Sequence, residues 1–206
     1  MIKIVVNATK GGVGKTTVAT NIALLLAQQN KRVWALDLAG RSRMAKFLQS
    51  TSYFKNSTNK TDIRETEPLP DSFPGASDYD FLVADTDDYY KVPATVVTQP
   101  GWRLIIPIVP DDQVGVEDIV EETASLLNFG LVADLVPRAR IVVNNRHHND
   151  NYEQLYHHVY NQVEAAFIDE FLSNQWLPFV NLSPFDFTSD EVFSKTLRSV
   201  LSELGI

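Results

Sequence analysis

The stretch T-K-G-G-V-G-K-T-T, from Thr9 to Thr17, comes close to the phosphate-binding loop pattern G-x-x-x-x-G-K-S/T. Thr9 stands where the pattern has its first glycine, and Lys10 adds a second lysine five residues before Lys15. An apolar run with one lysine, Ile2–Val6, precedes the loop, and apolar residues at helical spacing follow it. A glycine-rich loop between a buried strand and a helix is the context in which this pattern predicts phosphate binding.

The residues of this loop suit a triphosphate and its metal ion. Its glycines allow backbone conformations that other residues avoid, so successive N–H groups can converge on phosphate oxygens. The start of the following helix adds a partial positive charge. We expect Lys15 to reach the β- and γ-phosphates and the Thr16 hydroxyl to ligate Mg²⁺. The predicted nucleotide-binding residues of the loop are Gly11, Gly12, Val13, Gly14, Lys15, Thr16 and Thr17.

Strand-like and helix-like segments alternate along the chain. The strand-like runs after the loop are Arg32–Leu36, Asp80–Ala84, Leu104–Val109, Arg140–Val143 and Trp176–Leu182. This alternation predicts an α/β fold in which a mostly parallel, twisted sheet carries helices on both faces. We predict a single domain over residues 1–206, with an irregular excursion at about 51–77.

Three helices are predicted in the second half of the chain. Apolar residues between Val116 and Leu127 share one helical face. Asp150 and Glu153 form a capping box for a long helix that extends to about 167. Thr188 and Glu191 are expected to cap the last helix. Its predicted buried face consists of Val192, Thr196, Leu197, Val200, Leu201 and Leu204.

The overall composition narrows the classes of protein. The formal net charge of −8 weighs against broad nucleic-acid binding, and from His147 to the end nine acidic residues stand against only two basic ones. The absence of cysteine excludes disulfide frameworks and thiolate-bound clusters. We find no signal-peptide pattern and no apolar run of membrane-spanning length, so we expect a cytoplasmic protein.

The motif K-G-G-V-G-K-T-T, starting at Lys10, resembles the deviant Walker A motif of the ParA/MinD ATPases, a branch of the P-loop NTPases. The resemblance runs over most of the chain. In that family two ATP-bound subunits face each other, and the first lysine of each reaches the phosphates held by its partner. The resemblance therefore implies a homodimer with ATP at the interface. In this dimer Lys15 serves its own nucleotide and Lys10 acts on the partner's, comparable to an arginine finger.

Other family positions can be matched one at a time. Asp37 matches the first aspartate of the family's D-x-D pattern, which supports the Mg²⁺ site. Asp85, in Y-D-F-L-V-A-D-T-D-D, matches the aspartate that holds Mg²⁺ through water, although Thr86–Asp88 replaces the usual x-P-P. Asn144 matches an asparagine that reads adenine, with an ordinary turn residue after a strand as the alternative. A stretch resembling the P-R-D segment beside the adenine is formed by Pro184, Phe185 and Asp186, with phenylalanine in place of arginine.

Ala39 stands where the family has its second aspartate, which positions the attacking water. A methyl group can neither accept a proton nor orient water, so we expect ATP binding with hydrolysis slowed about 10²-fold or more. Two explanations are open: a natural chain with little turnover, or an engineered substitution that traps the ATP-bound dimer. The intact remainder of the site, including Lys10, favours the engineered form.

The resemblance implies a switch that positions or segregates a cargo such as a plasmid, chromosome or carboxysome. Such a switch binds DNA non-specifically as a dimer, associates with the nucleoid and is stimulated to hydrolyse ATP by a ParB-type adaptor. Weak, salt-dependent binding needs only a few basic residues. The candidates for this DNA contact are Arg41, Arg43, Lys46, Lys55, Lys60, Arg103, Arg138, Arg140 and Arg146.

Two alternatives remain open from the sequence. A MinD-like membrane-cycling ATPase needs a basic amphipathic helix at its end. The last helix offers Lys195 and Arg198 but also three acidic residues, which disfavours membrane binding. A native ATP-binding switch that does not hydrolyse ATP is the second alternative.

Overall fold

The structure is a computed structural model of the 206-residue chain. It describes residues 1–8, 10–55, 58–65, 68–87, 92, 99, 101–109, 138–145, 171–181 and 185–206. The helices predicted at 116–127 and 150–167 lie outside the described residues, as do Thr9, Pro184 and the candidate DNA contact Arg146.

A parallel sheet forms the centre of the described structure. The seven strands are β1 (Ile2–Val6), β2 (Val33–Asp37), β3 (Lys60–Ile63), β4 (Phe81–Asp85), β5 (Trp102–Ile108), β6 (Ala139–Asn144) and β7 (Leu172–Leu177). Their order across the sheet is β3-β2-β4-β1-β5-β6-β7, and every neighbouring pair is parallel. The predicted α/β fold with a parallel sheet is thereby confirmed.

The helices connect and cover these strands. They are α1 (Lys15–Gln28), α2 (Arg43–Ser50), α3 (Ser52–Lys55) and α4 (Glu191–Glu203), with a short 3-10 turn at Ala76–Asp78. Among the described residues, no helix is both long enough and apolar enough to cross a bilayer.

Alternating strand residues build a core on each face of the sheet. In β1, Ile4 and Val6 pack with α1 and α4, whereas Val5 belongs to the opposite face with Trp34 and Trp102. Both faces of the central strands are therefore withdrawn from water, which is why β1, β2 and β4 read as continuous apolar runs in the sequence.

The predicted excursion at 51–77 contains more order than its composition indicated. It includes α3 and the strand β3, which pairs with β2 at one edge of the described sheet. The strand sequence K-T-D-I has no fully buried position. Lys60 nevertheless lies 4.1 Å from the centre of the Trp34 ring, so a polar edge strand is held partly by a cation–π contact.

The C-terminal predictions need two corrections. Strand β7 begins at Leu172 rather than Trp176, because this second edge strand is largely polar and gives a weak apolar signal. The cap of α4 is Asp190, whose carboxylate accepts the Phe193 N–H at 2.8 Å. The predicted cap, Thr188, instead donates its hydroxyl to Asp186 at 2.6 Å.

The buried face of α4 also differs at its first turn. Val192 is 64% exposed, and Phe193 takes the buried position. Leu197, Val200, Leu201 and Leu204 are buried as predicted, whereas Thr196 is only half-buried. Phe193 precedes Leu197 by four residues and therefore shares its helical face, whereas Val192 points away from it.

The sheet order brings three loops together. Strand β1 lies between β4 and β5, and β2 lies beside β4. Because all strands are parallel, the loops that follow β1, β2 and β4 leave from the same edge of the sheet. The register of β2 and β4 pairs Asp37 directly with Asp85 at this edge.

Candidate functional site

The loop after β1 has the backbone geometry that its glycines predicted. Gly12 and Gly14 have φ values of 81° and 98°, in the region that side chains disfavour. Gly14 is the N-cap of α1, and the first turn of this helix contains no acidic residue. The positive end of the α1 dipole is therefore not neutralised by a carboxylate of its own first turn, as an anion-binding helix start requires.

Asn144 supports this loop from β6. Its side-chain nitrogen donates to the Val13 carbonyl at 2.9 Å, and the residue is buried. A Cβ atom on Gly14 would lie 2.5 Å from the same nitrogen. The structure thus places Asn144 directly against the loop, and its role in reading adenine stays a prediction.

Lys15 is held over the loop by backbone oxygens. Its side chain is 7% exposed, and Nζ donates to the carbonyls of Lys10 at 3.0 Å and Ala8 at 3.3 Å. Nζ also lies 3.8 Å from Oδ1 of Asp87. These contacts fix a largely buried positive charge at the point where the sequence predicted phosphate contacts.

The loop forms one wall of a cleft of about 410 Å³, within the size range of small-molecule sites. The cleft is lined by Gly11, Gly12, Gly14, Lys15, Thr16, Arg43 and Asp87. Arg43 is the first residue of α2, and Asp87 follows β4 by two positions. Neither was predicted for the nucleotide site: Arg43 was named only as a candidate DNA contact, and Asp87 only as a departure from the family pattern.

Asp37 and Asp85 lie side by side at the ends of their strands, and both are fully buried. Burial raises the pKa of Asp37, although its Oδ2 accepts the Ala45 N–H at 2.9 Å. Burial also raises the pKa of Asp85 to about 7, and the charges of Asp37 and Asp87 add to this increase. The buried site therefore resists holding two carboxylate charges without a compensating cation.

Three carboxylate oxygens at this point lack a hydrogen-bond partner within the described chain: both oxygens of Asp85 and Oδ1 of Asp37. The Thr16 hydroxyl lowers the pKa of Asp85, although the hydroxyl and the carboxylate do not form a hydrogen bond of normal geometry. Across the described residues, no group of three or more His, Cys, Asp or Glu side chains could enclose a metal ion. Buried carboxylates and a hydroxyl without a full protein cage fit Mg²⁺, which keeps waters and binds substrate phosphates.

The loop after β2 carries Ala39, which is buried. Its neighbour Gly40 donates its N–H to Oδ2 of Asp87 at 3.3 Å. Arg41 and Ser42 follow with positive φ values of 80° and 47°, an arrangement that costs energy for residues with a side chain. The site therefore has a methyl group at position 39, and the next residue, Gly40, binds the carboxylate of Asp87.

The segment before α4 is fastened to α1. Buried Asn21 donates to the Phe185 carbonyl at 3.1 Å and accepts the Phe187 N–H at 2.8 Å. The Phe185 ring lies 5.7 Å from that of Phe47. Asp186 accepts from both the N–H and the hydroxyl of Thr188 and so stabilises its own turn. The placement of Phe185 and Asp186 beside an adenine stays a prediction. The action of the half-buried Lys10 on the nucleotide of a partner subunit also stays a prediction.

Comparison with known proteins supports the same reading of the fold. A structure of a plasmid partition protein from Borrelia burgdorferi bound to AMPPNP has 15% identity and a TM-score of 0.59, covering 98% of this chain and 97% of that one. The MinC:MinD complex from Aquifex aeolicus has 17% identity and a TM-score of 0.56, covering 100% and 96%. The ATP complex of an aspartate-to-alanine variant of McdA from Cyanothece has 15% identity and a TM-score of 0.56, covering 100% and 97%.

Structural similarity to proteins of 15–17% sequence identity shows only that the fold is shared. No curated protein matches the chain significantly. The family model of the CobQ/CobB/MinD/ParA nucleotide binding domain, in contrast, matches residues 4–180, which are most of the chain. Together with the parallel sheet and the glycine loop, this match shows that the chain belongs to the CobQ/CobB/MinD/ParA family of nucleotide-binding domains.

Proposed function

We propose that this chain is an ATP-dependent dimerising switch ATPase that positions or segregates a cargo. The observation that carries the proposal is that Lys15, held over a glycine loop, occurs in the same site as the buried oxygens of Asp85, which have no hydrogen-bond partner among the described residues. The Lys15 ammonium would bind the phosphates of a triphosphate, and the Asp85 carboxylate would bind the cation that accompanies them. The Borrelia protein solved with AMPPNP and the McdA variant solved with ATP support adenine nucleotide as the ligand.

Each residue of the site has a role in this proposal. The N–H groups of the loop and of the α1 start bind phosphate oxygens, and Lys15 offsets the charge of the β- and γ-phosphates. Thr16 and, through water, Asp85 would hold Mg²⁺, which would neutralise charge on the transferring phosphoryl group. Asp37 supports this arrangement and fixes the start of α2 through the Ala45 N–H. Lys10 acts on the nucleotide of the partner subunit.

Slow hydrolysis makes this switch a long-lived dimer. Ala39 cannot orient water, so ATP stays bound and keeps two subunits together. An adaptor of the ParB type would then set the time of release by stimulating turnover. A native switch with almost no hydrolysis is the second candidate, and the methyl group of Ala39 at the site is the observation that favours it.

The distribution of charge supports a DNA contact near α2 and α3. The sequence from Leu38 to Thr61 contains no acidic residue, although the whole chain has a net charge of −8. Its exposed basic residues are Arg41, Arg43, Lys46 and Lys55. Arg103 and Arg140 do not belong to such a surface, because they bind the C-terminal end of α4 through Leu204 and Glu203.

The burial of α4 supports DNA rather than a membrane as the anchoring surface. Except for the exposed Val192, the apolar residues of this helix pack into the core on one face of the sheet. A helix whose apolar face is already covered has little left to insert between lipids.

Binding of Mg²⁺-ATP tests the nucleotide part of the proposal. Calorimetry should show tight binding by the native chain and a loss of at least tenfold in affinity for Lys15→Ala, because the buried charge over the loop is removed. Lys31→Ala is the matched control, since this exposed lysine lies beyond the far end of α1. Equal affinities of the native chain and Lys15→Ala would refute the assignment. Ala39→Asp should raise the rate of hydrolysis.

Retention of the chain on DNA of arbitrary sequence tests the proposed DNA contact near α2 and α3. With ATP present, the double variant Lys46→Ala, Lys55→Ala should bind more weakly and show a salt dependence reduced by about two phosphate contacts. The matched control is Lys195→Ala, Arg198→Ala on α4. A control that loses as much binding as the test variant would place the DNA surface elsewhere.

A further inference from the structure

The loops after β2 and β4 run side by side beyond the ends of their strands. The register pairs Asp37 with Asp85, so Ala39 and Asp87 each stand two residues past a paired aspartate. The Leu38 N–H donates to the Asp85 carbonyl at 2.9 Å, and the Gly40 N–H donates to Oδ2 of Asp87 at 3.3 Å. Asp87 is therefore the neighbour, across the strand pair, of the position that lacks a carboxylate.

The side chain of Asp87 reaches the cleft from this position. Oδ1 lies 3.8 Å from Nζ of Lys15, and the residue lines the cleft together with Thr16 and Arg43. The side chain is 53% exposed, so water has access to it. The Gly40 contact holds Oδ2 independently of Lys15, which leaves the carboxylate in place when Lys15 turns to a phosphate.

We propose that the carboxylate of Asp87 positions the attacking water in place of the residue missing at Ala39, and that it supplies the hydrolysis of which this chain is capable. This inference rests on the proposed ATPase function. In the step, the water oxygen forms a bond to the γ-phosphorus while the bond from that phosphorus to the β–γ bridging oxygen breaks. ADP leaves, one water proton stays with the phosphate product, and the other passes to solvent. Asp87 accepts a hydrogen bond from the water and orients it.

A different role for Asp87 leads to opposite expectations. If its carboxylate only balances Lys15 until phosphate arrives, removing it should tighten ATP binding and leave the rate of hydrolysis unchanged. If it positions water, removing it should lower the rate while ATP still binds. Under this proposal Ala39 is the natural residue of the chain, because the carboxylate that positions water follows β4 instead of β2.

The test measures ATP turnover, ATP affinity and dimer lifetime of the whole chain in Mg²⁺. For Asp87→Ala we expect kcat to fall about 10²-fold, with affinity unreduced and dimers that persist longer after free ATP is removed. Asp87→Asn keeps the side-chain volume and an acceptor for Gly40, and its turnover should fall at least tenfold. The matched control is Asp78→Ala, an exposed aspartate before β4 at the opposite edge of the sheet.

A rescue variant separates positioning from folding. Ala39→Asp combined with Asp87→Ala should regain turnover above Asp87→Ala alone, because either position can carry the carboxylate. Unchanged kcat in Asp87→Ala, or native turnover no higher than that of Lys15→Ala, would overturn the proposal. ATP-dependent dimers in those same samples would leave the proposed function standing, whereas a native chain that binds no ATP would overturn both.

Discussion

Gly14 combines a conformational requirement with a steric one. Its φ of 98° disfavours any side chain, and a Cβ atom would lie 2.5 Å from Nδ2 of Asn144. Asn144 cannot move away freely, because that nitrogen donates to the Val13 carbonyl inside the structure. The glycine therefore fixes both the turn into α1 and the contact of β6 with the loop.

Gly14→Ala should destabilise the protein and abolish ATP binding. Gly75→Ala isolates the conformational part, because Gly75 has a φ of 82° with no atom within 4 Å of its added Cβ. We expect Gly75→Ala to cost about 1–2 kcal/mol and Gly14→Ala to cost clearly more. Urea denaturation measures both. Equal losses would mean that the Asn144 contact does not constrain the loop.

Asp85 makes the stability of the folded chain sensitive to pH when no cation is bound. Its pKa of about 7 in the folded chain lies above the ordinary value of 3.8, so the folded state binds a proton more tightly than the unfolded state. This contribution to stability is fully present below about pH 4 and is lost as the pH rises through about 7. A cation at the two unpaired oxygens would remove the penalty at higher pH.

Asp85→Asn should remove this pH dependence. Without nucleotide, the free energy of unfolding of the native chain should fall by roughly 2–3 kcal/mol more between pH 5 and pH 8 than that of the variant. The exposed Asp78→Ala is the control and should follow the native profile. Identical profiles for native chain and Asp85→Asn would show that the carboxylate is not the source. The variant should also lose Mg²⁺-dependent ATP binding.

The residues of the glycine loop could be predicted because a local pattern determines them. Lys15, Thr16 and the glycines act within one turn of chain, and the cleft contains them as expected. Arg43 and Asp87 enter the same cleft only through the pairing of β2 with β4, and no local spacing reveals that pairing. Asn144 could be selected by its position after a strand, but its contact with Val13 is a tertiary feature.

At the scale of elements, burial decides which strands the sequence reveals. Strands β1, β2 and β4 lie inside the sheet and are predicted within one residue of their ends. The edge strands β3 and β7 carry polar residues, because one side of each has no strand partner within the described sheet. Their sequences lack the apolar run on which the prediction relies, so β3 was missed and β7 was placed too late.

Asn21 joins two elements that are far apart in the sequence. It lies on α1, and its side chain binds the Phe185 carbonyl and the Phe187 N–H before α4. Asn21→Ala should lower the free energy of unfolding by roughly 1–3 kcal/mol, because the partly buried Phe187 N–H and Phe185 carbonyl lose their partner. Gln28→Ala is the control, since it removes a single bond from α1 to Thr188 in the same region.

The same variant tests the predicted adenine side of the site. If the segment at Phe185 lies beside the base, Asn21→Ala should lower the affinity for ATP more than the affinity for inorganic triphosphate. A protein that loses affinity for both ligands equally would contradict that placement. Calorimetric titration with the two ligands supplies the comparison.

At the scale of the whole molecule, the loops at one end of the strands form a cleft whose charges suit the proposed ligand. The positive groups are Lys15, Arg43 and the start of α1, and the buried acids Asp37 and Asp85 lie behind them. A triphosphate with Mg²⁺ satisfies both sets. The half-buried Lys10 at the start of the loop has its proposed target in a second copy of the chain. ATP binding and assembly are therefore expected to be one event.

Light scattering of the purified chain with Mg²⁺-ATP tests this coupling most directly. The native chain should have twice the mass of a single chain with ATP and the single-chain mass without it. Lys10→Ala should bind ATP yet stay a monomer, and Lys31→Ala should dimerise normally. A Lys10→Ala chain that dimerises with ATP as readily as the native one would contradict the account.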